Sequence, residues 1–535
     1  MQLKKMNETL YVLLHDFFDG FNVHQKPHYL KIEDDIIVSQ GDLNEDILKK
    51  ISSENIKIMD YRKKFVTPGF IDAHNHFMLT ALKARFYIDF SNVFSIEDFV
   101  NVLKKNKNND FHGWILGYKL NEYNFSDNNI PDKKIIDRVF DQNPVFITQT
   151  TEHYGICNSE ALRISGIDKN TPDPEGGKIS RYYNNEPDGI LYEAPAMDPV
   201  KDKIPGFNII DYKDAILYSQ KLYRKAGLSF VKDTGGTGKD INEDMRICAL
   251  NELSHEGKIK IRIGIALPIY SLNDLDYKVN LSRKIVQNDF IKFSGFKLFL
   301  DGSILAKTAW MKKPWYVDGN KNYFYGINLW NMGDFNTAIE QLSKIQTNIS
   351  IHAIGDRAIE EALNAIEYAG LKKCNSTFSI IHADVLSKEN MERIKNLNVS
   401  IETQSAFIYH IGNAELNNLK GKMDIELFPY KTMINLGIKI ANSSDSPVSD
   451  FSPLTGLYSS LFRKTKNNEE CFDKNECLDI VNALKIYTST SSDVMGLKNY
   501  GNFNTNSIFD PTVFENDYAS LYANLKRLGV RIHCL

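Results

Sequence analysis

VTPGFIDAHNHF, residues 66–77, runs from a turn-forming Pro-Gly pair through a short apolar segment into two histidines spaced two apart. In an extended strand, positions i and i+2 share a face. His74 and His76 therefore point to one side of a strand that ends where they stand. In a parallel barrel of alternating strands and helices, the C-terminal strand ends are where sites are built.

Outward from this stretch, buried-looking strands alternate with longer amphipathic segments, the pattern of βα units on a parallel sheet. The strand candidates are Phe65–His74, Leu228–Lys232, Ile259–Ala266, Phe290–Leu300, Asn348–His352, Phe378–His382, Val399–Thr403 and Ile438–Ser443. Helical periodicity fills the gaps, for example over Asp356–Tyr368 and Lys388–Asn396. Eight such strands predict an α/β fold, the (β/α)₈ TIM barrel. A stretch rich in Pro, Asn, Asp and Gly, roughly Gly113–Lys203, reads as a long irregular insertion. Short apolar runs over 9–66 suggest a small β unit, and strand-like segments at Pro511–Phe514 and Gly529–Cys534 can return to complete it. The expected division is a composite β-sandwich from 1–65 plus about 500–535, and a barrel over 66–499 with a 113–203 insertion.

Composition bounds the function. The chain has 535 residues, 42% apolar and 25% charged, with a net charge of −4. These are globular values, and the charge is too near balance for nucleic acid or an anionic membrane as partner. None of the six cysteines forms a CxxC pair, which fits reduced thiols. Glu8, His15 and Asp16 interrupt the N-terminal apolar run, so a signal peptide is not expected. No stretch approaches the roughly 20 apolar residues of a membrane span. A cytoplasmic protein acting on a small molecule is the expectation, with a homodimer as the assembly considered.

The unusual polar residues fall in register with the strand ends. His74 and His76 end the first strand, His352 the fifth and His382 the sixth; Asp445 follows the eighth, and Lys297 lies inside the fourth, in FSGFKLFLDGS. A lone histidine at a strand end is more often structural than functional. An HxH pair joined by two more histidines and an aspartate, all at one end of a barrel, predicts a site for one or two divalent metal ions, zinc first. Such a metal keeps an open position where water loses a proton, and a carboxylate beside that water can shuttle it. Lys297 stands apart, because burial and a nearby dication both disfavour an ammonium. Two readings stay open: a carboxylated lysine whose anionic carbamate bridges two ions, or a salt bridge to Asp301 or another carboxylate.

PGFIDAHNH resembles the PGxIDxHxH signature of the amidohydrolase superfamily. NSEALRISGIDKNTPDPEGGKISR, EPDGILYE, KLFLDGSILAKTAW, HAIGDRAIEEAL and SSDSPV make the chain similar to the YtcJ-like, amidohydrolase-3 branch over roughly residues 60–460. The resemblance implies a barrel with a composite β-sandwich and a metal-activated water that hydrolyses an amide-like C–N bond, such as an N-acyl or N-substituted formamide. It implies His74, His76, His352 and His382 as metal ligands, Lys297 as a bridging lysine, and Asp445 as both ligand and general base. His153, in TTEHYGICNSEAL, and Glu193, in GILYE, match site segments; with Asp301 they are the candidate substrate contacts, His153 also a candidate for catalysis. The chain departs from the pattern in three places: Ile381-His382-Ala383 stands for an EHA-like motif, Lys307 for an arginine, and NTNSIFDPTVFEND for a GxxADLVVLD-like tail. The eroded tail motivates a rival reading, a non-catalytic binding or regulatory descendant of the fold.

Overall fold

The computed structural model describes residues 9–528, apart from 55, 122–124, 126–129, 151–152, 237–240, 318–322, 371–375, 420–425 and 467–472. The strand-like segment Gly529–Cys534 lies outside the described residues. The chain forms two compact units, Met1–Phe77 with Gln220–Leu535, and Met78–Ser219.

In the first unit, eight parallel strands follow one another in chain order around a nearly closed barrel. They are β1 (Phe70–Asn75), β2 (Leu228–Asp233), β3 (Arg262–Ile269), β4 (Ile291–Phe299), β5 (Asn348–Ala353), β6 (Thr377–His382), β7 (Ser400–Thr403) and β8 (Ile440–Asn442). All eight expected strands are present. The first is shorter than expected because Phe65–Pro68 is a separate strand, paired with Pro511–Val513 in the small sheet. The barrel's outer layer shows the helical period: Asp356–Gly370 buries Ala358, Ile359, Ala362, Leu363, Ile366 and Ala369. The gap between β8 and β1 is drawn together by backbone bonds from Asp445 N to the His74 carbonyl and from His76 N to the Ser446 carbonyl, each 2.9 Å. These bonds hold the loop that carries Asp445 against the strand that carries both histidines.

One irregularity sets the direction of a key side chain. Between β3 and β4 the register shifts, so that Ser294 and Gly295 face the single residue Ala266, a β-bulge. Lys292 and Lys297 are five residues apart, an odd spacing that an unbroken pleat would place on opposite faces. The bulge restores them to the same face: Lys292 lies over the Phe230 ring of β2, and Lys297 reaches the histidines of β1. Gly295 has φ of 103°, and a Cβ built on it would stand 1.9 Å from the Asn348 carbonyl oxygen.

Among the described residues, strands from both ends of the first unit join in one six-stranded composite sheet. Its strands Pro511–Val513, Phe65–Pro68, Thr9–Phe18, Val23–Glu33 and Ile36–Asp42 pair in that order, with Lys57–Asp60 also paired to Thr9–Phe18. Val12 and Leu14 alternate with Tyr11 and Leu13 along the central strand, and the latter pair packs with Ile51 of the helix Glu45–Ser53. The helix thus covers one face of the sheet.

The 78–219 unit corrects the reading of an irregular insertion. It holds a six-stranded sheet in the order Tyr87–Asp89, Ile115–Leu120, Val145–Gln149, Tyr154–Cys157, Pro187–Tyr192 and Lys178–Arg181. Phe90, Phe99, Leu103, Ile115, Ile147 and Ile156 form its core. The strands are short and their connections dense in turn residues, which masked them in the sequence.

Gly295→Ala should therefore be costly, because φ and space both forbid a side chain. We expect a loss of at least about 2 kcal/mol in urea-induced unfolding. An alanine variant as stable as the wild type would remove the bulge from its role.

Candidate metal centre

The structure brings four of the six expected groups into direct contact and packs the rings of His382 and His352 beside them. His74 Nε2 and His76 Nε2 lie 3.2 and 3.4 Å from the same Asp445 oxygen. Lys297 Nζ lies 3.2 Å from His74 Nε2 and 3.5 Å from His76 Nε2. The His382 ring packs edge-on to those of His352 and His74, with centroids 4.5 and 5.9 Å away. One nitrogen each of His74 and His382 and an oxygen of Asp445 fall within 4.8 Å of one another. His74, His76, His382, Lys297 and Asp445 are all buried.

His382 reaches this cluster against the pleat. Ser379 of β6 points inward to Glu402, and three residues on an unbroken strand would turn His382 outward. At His382 and Ala383, however, φ is 72° and 55°, so the chain leaves the pleat and the imidazole faces the other rings. Asp445 is left-handed as well, with φ of 54°. Such backbone costs on the order of 1–3 kcal/mol per residue and concentrates at functional sites.

Hydrogen bonds fix which ring nitrogen each histidine presents. His76 Nδ1 bonds the Gly235 carbonyl at 2.6 Å, and His382 Nδ1 bonds Gln404 Oε1 at 2.7 Å. With Nδ1 as donor, each offers the lone pair of Nε2. His352 is reversed: its Nε2 bonds the Gly302 carbonyl at 3.1 Å, leaving Nδ1. Outer partners of this kind set the tautomer of metal-bound histidines. Burial, aided by the Lys297 charge, lowers the His74 pKa and brings that of His352 down to about 4; burial and the His352 charge put His382 well below its ordinary value. Burial alone would raise the Asp445 carboxyl, but the His74 and His76 imidazoles outweigh it and hold the group well below the usual range. Neutral imidazoles around an ionised carboxylate are the donor set of a divalent metal ion, and the residues fit one.

Beneath this cluster sits a charged layer that the sequence reading missed. Lys232 of β2 donates to Glu402 of β7 at 2.7 Å and to Ser350 Oγ of β5 at 2.6 Å. Ser350 Oγ and Ser379 Oγ donate to the same Glu402 oxygen. Burial would raise Glu402, but the Lys232 ammonium holds it well below the ordinary carboxylate range. The other Glu402 oxygen and His74 Nδ1 are both buried without a hydrogen-bond partner, and they stand 3.8 Å apart. A small adjustment would make His74 Nδ1–H a donor to Glu402, fixing Nε2 as the free nitrogen. The signal was present: a charged Glu402 at the end of an otherwise apolar strand demands a partner.

The candidate substrate contacts have other partners. Asp301 is 2% exposed, and its oxygens accept from the backbone N–H of Trp310 and Gly355 at 2.8 Å and Ile354 at 3.0 Å. It anchors the loops after β4 and β5, lies 3.5 Å from His352 Nε2, and forms no ion pair with Lys297. Burial pushes the Asp301 pKa up to about 7 despite those three donors. His153 and Glu193, in the 78–219 unit, are brought to each other: His153 Nδ1 lies 3.2 Å from the Glu193 carboxylate, and both side chains are exposed.

Comparison with known proteins places the fold among related chains. The family described as "Amidohydrolase family" matches residues 57–504. The chain is 27% identical over 471 residues to the putative amidohydrolase YtcJ of Bacillus subtilis strain 168, covering 87% of this chain and 86% of that protein. It is 24% identical over 475 residues to the N-substituted formamide deformylase of Arthrobacter pascens, with 86% of each covered. The fold is similar to that of an uncharacterized metal-dependent hydrolase from Pyrococcus furiosus, with a TM-score of 0.73 and 23% identity over 95% of this chain and 99% of that one. Among the described residues, no helix is long and apolar enough to cross a membrane.

Glu402→Gln would leave Lys232 as a buried ammonium without counter-charge. The expected loss is about 3–5 kcal/mol, most of it recovered when Lys232→Met is added. Urea unfolding of the single and double variants measures this, and additive losses would show that the two side chains do not act as a pair.

Proposed function

The chain belongs to the amidohydrolase family, and we propose that it hydrolyses an amide-like C–N bond, in an N-acyl or N-substituted formamide substrate, at the cluster around Asp445. The observation that carries this reading is the convergence of His74, His76 and Asp445 at the ends of β1 and β8, in contact and out of water. The substrate class follows the name of the N-substituted formamide deformylase relative. A divalent ion, zinc by the imidazole and carboxylate donors, would be held by His74, His76, His352, His382 and Asp445 and would supply a Lewis acid and a more acidic water.

The chain's own residues do the rest. Asp445, held ionised, takes a proton from the attacking water as the water oxygen bonds to the carbonyl carbon. It then returns that proton to the nitrogen as the C–N bond breaks, giving an acid and an amine. His76 and His382 are kept in one tautomer by Gly235 and Gln404, so their lone pairs stay aimed while the proton moves. His153 and Glu193 are assigned to substrate contact, with Glu193 orienting the imidazole.

Lys297 is read as carboxylated. Its neutral amine bonds to the carbon of carbon dioxide and releases one proton, giving an anionic carbamate. Two observations support this. Nζ stands beside two imidazole nitrogens, where an ammonium would oppose a cation, and Asp301 is engaged elsewhere. Burial lowers the amine's pKa to about 8, although Asp445 and Glu402 pull the other way.

Protein purified without chelator should contain at least about one metal ion per chain, because a catalytic site of this donor set binds tightly. Metal-free protein that gains neither activity nor thermal stability on zinc addition would sink the metal reading. Asp445→Asn should lower kcat at least about 10²-fold against an N-acyl and N-formyl amine panel, with its melting temperature kept. Release of ammonia in place of a substituted amine would redirect the bond assignment. Lys297→Ala should lose metal and activity together, and formate or acetate should restore part of both. Full metal content in that variant would rule out a carbamate ligand.

A further inference from the structure

We propose that the N-terminal mouth of the barrel, at the opposite ends of the strands from the metal centre, binds a small oxyanion through Lys292 and Arg283. The shared ligand chemistry is a carboxylate or phosphate group.

A cleft of about 690 Å³ opens there, lined by Arg283, Lys292, Ser294, Asn348, Thr377 and Asp493 among others. That volume suits a small ligand. Lys292, Asn348 and Thr377 stand at the starts of β4, β5 and β6, whereas Lys297, His352 and His382 stand at or near their ends. The same bulge at Gly295 that turns Lys297 to the upper site keeps Lys292 on the inner face of the floor.

The charges at this mouth are unbalanced. The half-buried Lys292 ammonium donates to the Met495 carbonyl at 2.9 Å and lies 5.7 Å from the centre of the Phe230 ring. The Arg283 guanidinium donates to Asn280 Oδ1 at 3.1 Å. Among the described residues neither cation is paired with a carboxylate. Asp493, the one carboxylate in the lining, is engaged by Lys439 at 2.8 Å. Burial, reinforced by the charge of Lys232, lowers the Lys292 amine to about 8. Ser294 Oγ is buried with no hydrogen-bond partner.

An oxyanion answers each of these features. It supplies the missing counter-charge, accepts from the remaining Lys292 N–H groups, and suits the planar fork of an arginine. The Ser294 hydroxyl adds a donor in the same lining. A cationic ligand would find no uncommitted carboxylate, and an apolar one would strand two cations.

The test is calorimetric titration of the full-length protein in low-salt buffer with inorganic phosphate and, separately, succinate. At least one should bind saturably at millimolar concentration or below. Lys292→Met and Arg283→Ala should each weaken that binding by about tenfold or more, the size of a lost charge-assisted hydrogen bond. Asp445→Asn, at the other end of the barrel, should leave it unchanged, which separates this site from anion capture at the metal centre. Which probe binds assigns the ligand as carboxylate or phosphate. Saturable binding of neither probe, equal binding in the variants, or loss in Asp445→Asn would each overturn the proposal. Should Lys292→Met fail to fold, the exposed Arg283→Ala decides alone.

Discussion

The barrel interior is organised around one ion pair that water does not reach. Lys232 and Glu402 are each 0% exposed, and they face each other across the barrel at 2.7 Å. Removing two such charges from water costs several kcal/mol apiece, and their mutual attraction repays this only with good geometry and further hydrogen bonds. Ser350 and Ser379 provide those bonds from two more strands. Four strands are thereby tied together by polar contacts in a place where most barrels pack branched apolar side chains. What the pair gives in return is position: Glu402 presents its second oxygen toward His74, and Lys232 adds positive charge along the barrel axis to both Lys292 below and Lys297 above.

The site above that layer depends on three breaks in regular strand geometry. A perfect pleat would send Lys297 and His382 away from the barrel mouth. The bulge at Ser294–Gly295 corrects the first, and left-handed backbone at His382 the second. Asp445, also left-handed, is fastened by its own N–H to the carbonyl of His74, which keeps its carboxylate beside the imidazole it touches. Strained backbone persists only where surroundings over-determine it. Here the surroundings are the strand ladders on both sides of β4 and β6 and the backbone bonds that close β8 onto β1.

Much of this was legible in the sequence. Strand-length apolar runs with histidines at their ends gave the barrel and the six central residues, because period-2 patterning and strand-end placement are local properties. The support layer was harder to read. Glu402 and Lys232 were visible as charges inside buried strands, yet their pairing joins β2 to β7 and exists only after closure. Asp301 was read as a candidate substrate contact, but its bonds to backbone N–H groups of two loops and its approach to His352 exist only in the folded barrel. The 78–219 sheet stayed hidden because strands of three to six residues between turn-rich links carry little periodicity, and the order of its strands is a tertiary fact.

The axial charges make the two ends of the barrel chemically different. From floor to mouth the inner groups run Lys292, then Lys232 with Glu402, then Lys297 with the imidazoles and Asp445. Burial pushes Asp301 up to about 7 and, with its acidic neighbours, raises Asp384 well above the usual carboxylate range, so each carries less negative charge than an exposed carboxylate. With bare lysines the axis carries more cations than ionised carboxylates, a poor environment for a dication. Carboxylation of Lys297 reverses the balance at the mouth alone, since it removes one cation and adds one anion where the metal would sit. Lys232 stays neutralised by Glu402, and Lys292 remains a cation at the floor. On the proposed carboxylation, one barrel would present a negative mouth suited to a metal ion and a positive floor suited to an oxyanion, with the Lys232–Glu402 pair lying between them.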